Sequence, residues 1–364
     1  MLNVIERLDR KQFAPGVCVL RKGGDLDRVV ERLGIPFLES PFTVPPRPYL
    51  TLLFRAWKAA QKFRSHHFAL WHSFHYADDY TEPLIARLAG ARVWMYTKKN
   101  MGWGSRAWRV RSYLANGIAV QNTAMIQEFF PKQVRKVRHI APGVDTELFR
   151  PGELDLVLKK SWGFPAGTML LGHVAQLVPI KNHPHLLRAL ARVKSNVGLL
   201  LAGAELDAAY AAQLRELAMA LGIAKRVRFC GKVQDVPGFL RTVDMFVFSS
   251  HKEACPVAAL EAMACGLGSV VTDIPAMRDI HVAGETGLVM PPEDAGAFAS
   301  AIDSLADKPA RRQQLGEAAR RRVEAKFTLD EEARRYQELY ADLLNCRTAC
   351  ERAPADLDRA VVRT

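Results

Sequence analysis

The chain has 364 residues, of which 49% are hydrophobic and 24% are charged. These proportions are ordinary for an enzyme and exclude a collagen-like, disordered or disulfide-stapled protein. The six cysteines lie scattered in apolar stretches without the paired spacings of a zinc site, so we expect a reducing compartment and no bound metal. No apolar run approaches a membrane span and the first residues lack a signal-peptide pattern, which predicts a cytoplasmic protein.

Most of the net charge of +13 belongs to the first part of the chain. Residues 1–150 hold 24 Lys and Arg against 12 Asp and Glu, whereas residues 151–364 hold 27 against 26. This asymmetry favours a negatively charged partner: nucleic acid, anionic lipid headgroups or a phosphorylated substrate. A basic protein without any electrostatic partner is the alternative. Because the basic part has no nucleic-acid-binding motif, we expect no nucleic acid partner.

Short apolar runs alternate with stretches of helical period, which is typical of parallel sheets with crossover helices. The sequence predicts strands at 17–21, 35–39, 68–72, 91–96, 118–121, 137–141, 169–178, 197–203, 227–231, 244–250, 269–273 and 287–291. In the second half, it predicts helices at about 184–195, 207–221, 235–242, 256–265, 275–283 and 293–306.

The same pattern predicts the domain organisation. Residues 146–167 mix Pro, Gly and charge without a clear period, which is typical of a linker. The predicted order is a domain at 1–145, the linker at 146–167, a second domain at 168–327, an amphipathic helix at 328–344 and a frayed tail at 345–364. The helix is expected to pack on one domain or to bridge both. Two facing α/β domains would place a ligand cleft at the carboxyl ends of their strands.

The sharpest local motif is SSHKEACPVAALEAMACG, at residues 249–266. Pro256 suits the first position of a helix, which places Glu253 in the loop before the helix and Glu261 inside it. Eight residues at the helical rise separate the two carboxylates by about 12 Å, a distance that fits the two ends of a nucleotide-sugar. Free N–H groups at 254–257 would then face its diphosphate. The alternative is a surface glutamate followed by an ordinary buried helix.

A second motif is a strand followed by a short loop with Lys181 and then a helix, within residues 173–190. A lysine at this position can neutralise phosphate oxygens, especially those of a departing nucleoside diphosphate. Taken alone, such a lysine is more often a solvated loop residue.

Together these motifs carry a resemblance to a known family. From Gly143 to Leu305 the chain resembles the donor-binding domain of the family 4 retaining glycosyltransferases, which have the GT-B fold of two facing Rossmann-like domains. The matching segments are the Glu253-x7-Glu261 motif with the following EAMACG, the Lys181 loop, GKVQDVPGFL (231–240), TVDMFVFSS (242–250) and GETGLVMPPED (284–294).

The resemblance implies transfer of a sugar from a UDP- or GDP-linked donor with retention of anomeric configuration and without a metal or other cofactor. It places Glu253 beside the donor sugar, Glu261 on the ribose and Lys181 on the diphosphate. A nucleophilic role for Glu253 stays open, because retention also follows from front-face departure guided by the leaving phosphate. The further donor-binding residues implied are Cys255, Pro256, Val257, Val233 and Gln176.

Three departures from the family pattern stand out. Gln176 replaces a frequent phosphate-binding arginine, and Gly268 replaces a usual proline. The opening MLNVIERLDRKQF resembles the middle of the family's first helix, so we expect the first strand and its Gly-rich loop to be absent.

Residues that follow predicted strands in the first half are candidates for the acceptor side. They are His72, His75, Lys98, Lys99, Asn100 and Trp103. Structural histidines and a solvated basic loop are the alternatives.

Basic and aromatic residues share the segment RPYLTLLFRAWKAAQKFR, and no acidic residue occurs between Glu39 and Asp78. This combination suits an interfacial helix on an anionic membrane and equally an ordinary crossover helix. Since lipid-linked acceptors are common in the resembling family, we expect peripheral association with the inner face of the cytoplasmic membrane.

The sequence therefore predicts a retaining hexosyltransferase that extends a cell-surface glycan or glycolipid of the lipopolysaccharide, capsule or exopolysaccharide type. The alternatives are a nucleotide-sugar 2-epimerase of the same architecture and a catalytically silent GT-B binding subunit.

Overall fold

The computed structural model describes residues 1–24, 26–75, 79–102, 105–153 and 155–352, with side chains up to residue 345. The chain divides into two compact units. The first unit comprises Met1–Val120, Ile126–Ile140 and the chain from Glu332 onwards, and the second comprises Gln121–Met125 and Ala141–Glu331.

In its described part, the first unit has two parallel sheets. β1 (Val17–Val19) pairs with β2 (Phe37–Glu39). The other sheet has the order β3-β4-β5-β6, with β3 (Leu70–Ser73), β4 (Val93–Lys98), β5 (Gly117–Val120) and β6 (Val137–His139). The helices of this part are α1 (Leu2–Glu6), α2 (Asp27–Arg32), α3 (Leu52–Arg64), α4 (Thr81–Leu88) and α5 (Arg106–Leu114), together with most of α6 (Ala124–Phe129), whose first two residues belong to the second unit.

The second unit is built on a six-stranded parallel sheet in the order β12-β11-β10-β7-β8-β9. Its strands are β7 (Met169–Val174), β8 (Val197–Ala202), β9 (Val227–Gly231), β10 (Met245–Phe248), β11 (Ser269–Thr272) and β12 (Leu288–Met290). Leu170 and Leu171 are both buried but belong to different core clusters, because successive side chains point to opposite faces of the sheet. Both faces are therefore covered, which explains the continuous apolar runs in the sequence.

Helices cover the sheet of the second unit. They are α7 (Leu156–Ser161), α8 (His183–Leu190), α9 (Ala208–Ala220), α10 (Val236–Leu240), α11 (Val257–Ala264), α12 (Pro275–Ile280), α13 (Ala295–Ala306) and α14 (Pro309–Lys326), and α15 (Leu329–Arg352) follows them. None of the helices in the described ranges combines the length and the hydropathy needed to cross a membrane.

The structure differs from the sequence-based outline at three places. The segment interpreted as a linker contains α7, whose first turn is capped by Asp155 through the N–H of Leu158 at 2.9 Å. Helix α14 was not predicted. Helix α15 continues to Arg352 instead of ending at 344, and Tyr336 and Tyr340 pack in the core of the first unit. Most of the predicted frayed tail, residues 353–364, lies outside the described residues.

Candidate active site

Two loops of the second unit lie in contact at the carboxyl ends of β7 and β10, which are neighbours in the sheet. The loop after β7 contains a 3-10 turn, Pro179–Lys181, and the loop after β10 carries Glu253. The N–H of His251 donates to the carbonyl of Ile180 at 3.0 Å, and the hydroxyl of Ser249 donates to the carbonyl of Lys181 at 3.1 Å. These bonds join the two loops into one platform.

Lys181 and Glu253 form an ion pair on this platform. The Lys181 Nζ lies 2.6 Å from Oε1 of Glu253, and the two side chains are only 21% and 11% exposed. Such partial desolvation strengthens the attraction relative to a surface pair. The structure therefore brings together the two residues that the sequence analysis placed on the diphosphate and beside the donor sugar.

Two histidines below this loop are neutral. The rings of His173 and His183 lie 5.0 Å apart, and both side chains are fully buried. Burial lowers the pKa of His173 to about 4 and that of His183 to about 2. At neutral pH, the positive charge of this loop thus comes from Lys181.

Glu261 lies on α11 and has no salt-bridge partner in the part of the chain that the structure describes. Burial alone raises the pKa of its carboxyl group to about 7. A carboxylate that accepts hydrogen bonds from two ribose hydroxyls must be ionised, so a bound ribose would lower this pKa again. A buried carboxyl group without a partner does not stabilise the fold when it is ionised, so Glu261 fits a role in ligand binding better than a structural role.

The raised pKa of Glu261 gives a prediction about pH. Because the folded-state pKa of about 7 exceeds the usual 4.5, the stability that the neutral carboxyl provides is present below pH 4.5 and is lost as the pH rises to about 7. We expect Glu261→Gln to raise the free energy of unfolding by roughly 3 kcal/mol at pH 8 and to have little effect at pH 4. Thermal unfolding at the two pH values, without nucleotide, measures this; equal effects at both would contradict it.

The turn before α11 differs in detail from the prediction. Pro256 is buried and is the residue before the helix rather than its first residue. The N–H of Val257 already donates to the carbonyl of Cys255 at 3.1 Å, so a diphosphate would have to displace this contact. Cys255 packs partly buried against the core below the helix.

Two other predicted donor-site residues lie at the ends of strands in the same sheet. Gln176 is exposed in the loop after β7, where it can contact a ligand but supplies no charge. Val233, after β9, is partly buried against the core.

Gly203 lets the ends of β7 and β8 approach closely, because a Cβ there would lie 1.8 Å from the carbonyl oxygen of Ala175.

Asn122 is a site residue that the sequence analysis missed. Its fully buried amide donates to the carbonyls of Glu253 at 3.1 Å and Ala254 at 2.8 Å, and its Oδ1 accepts from the N–H of Met125 at 3.0 Å. The contact joins residues 131 positions apart, and no local pattern marks it. Asn122 thereby fixes the backbone that carries the Glu253 carboxylate.

We expect Asn122→Ala to lower the free energy of unfolding by about 1–3 kcal/mol, because buried carbonyls lose their donor. If Asn122 positions Glu253, a defect in turnover should persist at temperatures where the variant is fully folded. Thr123→Ala is the matched control, because its hydroxyl donates to Asp279 at 2.7 Å and not to the Glu253 loop. Equal turnover of the two variants would contradict the positioning role.

His72 is partly buried in the first unit, and both of its ring nitrogens are hydrogen-bonded there; its acceptor-side role stays a prediction. Its Nδ1 lies 2.7 Å from the hydroxyl of Tyr340 and its Nε2 lies 2.8 Å from the hydroxyl of Thr97, which also bonds Tyr336 at 2.9 Å. Burial holds the pKa of His72 well below its usual value. The sequence places this ring directly after an apolar run, but it does not show that α15 covers it.

Lys98 is likewise internal. Its side chain is fully buried, its Nζ donates to Oδ1 of Asn100 at 2.7 Å, and it lies 4.9 Å and 4.3 Å from the ring centroids of Trp108 and Phe129. Lys98 is therefore not part of a solvated loop, and Asn100 serves as its partner, whereas its contact with a ligand stays a prediction.

The other acceptor-side candidates lie nearby in the first unit. Lys99 lies 4.8 Å from the ring centroid of Phe74, and burial lowers the pKa of its amine. His75 is partly buried and packs edge-on against Phe42. Trp103 lies outside the described residues. Lys99 and His75 stay candidates for the acceptor side.

Part of the chain is similar in sequence to known proteins. Residues 157–322 match the family model for glycosyl transferases group 1. The chain is 30% identical over 233 residues to a D-inositol 3-phosphate glycosyltransferase of Corynebacterium diphtheriae, covering 61% of this chain and 54% of that protein. It is also 30% identical over 190 residues to the N-acetyl-alpha-D-glucosaminyl L-malate synthase of Bacillus anthracis, covering 51% and 49%. The chain thus spans about half the length of the curated relatives it matches.

Solved structures match over most of the chain. A glycosyltransferase from Rickettsia africae superposes with a TM-score of 0.81 at 19% identity, covering 94% of this chain and 93% of that one. HepE of Anabaena, solved in complex with UDP and glucose, gives a TM-score of 0.76 at 20% identity, covering 88% and 90%. The predicted α/β architecture of the GT-B class is confirmed. The residues that match the family model, 157–322, lie within the second unit.

Proposed function

We propose that this chain is a retaining hexosyltransferase of the family 4 kind, which moves a sugar from a UDP- or GDP-linked donor to a cell-surface glycan or glycolipid. The observation that carries the proposal is the contact of Lys181 with Glu253 at the carboxyl ends of neighbouring parallel strands, with Glu261 on the helix that follows. Parallel α/β sheets bind ligands at this edge. The Anabaena structure with UDP-glucose supports a UDP-linked donor.

The ion pair suggests how the donor enters. Glu253 pairs with Lys181 and offsets its charge. A diphosphate carries more charge than one carboxylate and offers several acceptor oxygens, so it competes for the ammonium group. Moving Lys181 to the diphosphate would release the Glu253 carboxylate toward the sugar. Donor binding and the release of the Glu253 carboxylate would then occur in one step.

The same groups account for the proposed transfer. The bond between the anomeric carbon and the phosphate oxygen breaks, its electron pair stays on that oxygen, and Lys181 offsets the new charge. Glu253 stabilises the positive charge that develops on the sugar ring. An acceptor hydroxyl attacks from the face that the phosphate leaves and passes its proton to the departing phosphate. The new bond forms on the face of the old one, which retains the configuration.

In this scheme, Lys181 offsets the negative charge on the departing diphosphate, which a divalent cation does in metal-dependent enzymes. We therefore propose that no metal is needed. Within the described ranges, no three His, Cys, Asp or Glu side chains cluster as a metal site requires. The proposal also includes a cytoplasmic location, since nucleotide-sugars are the donors.

The test is to incubate the full chain with UDP- and GDP-sugars in EDTA, with and without glycolipid acceptors, and to analyse the product by NMR. We expect acceptor-dependent nucleotide release and an anomeric configuration equal to that of the donor. Inversion would overturn the retaining mechanism. A free altered sugar without acceptor would indicate a 2-epimerase, and a folded chain that binds no nucleotide would indicate a silent subunit.

A further inference from the structure

We propose that an exposed apolar and basic surface of the first unit inserts into an anionic lipid bilayer. The surface, which we call the α3 patch, is formed by the 3-10 turn Tyr49–Thr51 and the first half of α3. Five large apolar side chains are exposed within nine residues: Tyr49 62%, Leu50 100%, Leu53 66%, Phe54 64% and Trp57 46%. Single exposed apolar residues are common, but a contiguous group of this kind marks an interaction site.

The core of the first unit does not require these side chains. Helix α3 already buries another face, made of Ala56, Ala59, Ala60 and Phe63. Leu53 and Trp57 lie one turn apart, beside this buried face, and they nevertheless stay 66% and 46% exposed. A crossover helix needs apolar side chains only on the stripe that it buries, so these exposed ones indicate a surface with another purpose.

The patch is held in shape before any partner binds. The guanidinium group of Arg55 donates to the carbonyls of Pro45 at 2.5 Å and Pro48 at 2.7 Å, which ties the preceding loop to α3. The rings of Phe54 and Trp57 stack with centroids 6.1 Å apart. A preformed apolar surface loses little conformational entropy on binding.

The charges beside the patch select the partner. Arg47, Lys58 and Lys62 are exposed beside it, and no acidic residue occurs between Glu39 and Asp78. Tyr and Trp suit the headgroup region, and Leu and Phe suit the acyl boundary. Anionic headgroups complement this combination. The inference deepens the proposed function, because such a surface would bring the chain to a lipid-linked acceptor.

The experiment is sedimentation of the full chain with vesicles of phosphatidylcholine alone and of equal parts phosphatidylcholine and phosphatidylglycerol. We expect binding to the anionic vesicles that weakens as salt rises. Each lysine near an anionic surface is worth about a fivefold change in partitioning, so Lys58→Ala/Lys62→Ala should weaken binding by about 30-fold. Leu53→Ser/Phe54→Ser should remove binding even at low salt.

Matched controls carry the same changes on exposed sites of the second unit. They are Leu206→Ser/Met219→Ser for the apolar pair and Lys225→Ala/Lys308→Ala for the charged pair, and both should bind as wild type does. Brominated lipid should quench fluorescence of the wild type more than that of Trp57→Phe. Equal binding by patch and control variants would overturn the proposal.

A second copy of the chain is the competing occupant. A dimer in solution that Leu53→Ser/Phe54→Ser dissociates, without any vesicle binding by the wild type, would overturn the membrane assignment. Thermal stabilisation by UDP and GDP, measured on the same variants, reports the donor site separately. If the patch variants lose vesicle binding but keep nucleotide binding, the α3 patch binds lipid independently of the donor site. If the wild type binds vesicles but no nucleotide, the proposed function fails and the α3 patch proposal does not.

Discussion

Replacement of Glu253 by glutamine is expected to lower turnover by about 10²–10³-fold, the loss typical when one preorganised electrostatic group is removed from a transition state. Binding of a nucleoside diphosphate should meanwhile stay the same or tighten by a few fold. The reason is the ion pair with Lys181 at 2.6 Å, because the carboxylate competes with the diphosphate for the same ammonium group. Turnover and nucleotide titration, measured on one preparation, test both parts.

A loss of turnover without a loss of nucleotide binding distinguishes a catalytic role of Glu253 from a purely structural one. If Glu253 only held Lys181 in place, its loss would weaken nucleotide binding together with turnover. Glu293→Gln is the matched control, because one carboxylate oxygen of Glu293 also lies close to a side-chain nitrogen, 3.0 Å from Nδ1 of His251, but on an exposed surface. Wild-type turnover of Glu253→Gln would overturn the role assigned to Glu253.

Replacement of Lys181 by alanine is expected to weaken binding of nucleoside diphosphates by about 10- to 100-fold, because hydrogen bonds to charged groups are worth about 1.5–3 kcal/mol. The effect should be selective: UDP or GDP should lose affinity while the free nucleoside does not. Thermal stabilisation of the chain by each compound in EDTA gives the comparison. Lys225→Ala, at an exposed site of the same unit, should behave as wild type.

Lys181→Ala has a second consequence that must be separated from binding. It leaves the Glu253 carboxylate, only 11% exposed, without its cation, which destabilises the folded chain. The double variant Lys181→Ala/Glu253→Gln removes both charges and should regain stability without regaining nucleotide binding. Recovery of both would show that Lys181 acts only through folding.

The strands of both units were predictable because parallel strands covered on both faces are continuous apolar runs. β8, with six buried residues in sequence, is an example. Helix α14 lacks that signal: it is strongly polar, and its buried contacts are limited to Leu315, Gly316, Ala319 and Val323. Gly316 is needed there because a Cβ would lie 1.9 Å from the carbonyl oxygen of Gly266. This constraint comes from the turn after α11, about 50 residues earlier in the chain, and no local sequence pattern around Gly316 shows it.

In the candidate site, too, contacts between distant segments leave no local pattern in the sequence. Lys181, Glu253 and Glu261 could be found because motif and strand order place them at one edge of a sheet. His72 and Lys98 could not be assigned from their positions after strands, because the tyrosines and aromatic rings that cover them come from distant segments. Sequence position predicts which end of a strand a residue occupies, but packing decides whether solvent reaches it.

The tyrosines of α15 also have a consequence for the order of folding. Tyr336 and Tyr340 complete the core of the first unit together with Met95 and Ala119, and they bond His72 and Thr97. During synthesis, the strands of the first unit emerge before the second unit, but two of the side chains that close their core, Tyr336 and Tyr340, are made after nearly all of it. The second unit, made of the nearly continuous segment Ala141–Glu331, holds its own core and can close first. We therefore expect the second unit to reach its final packing before the first, because the side chains that complete the core of the first unit follow the second unit in the chain.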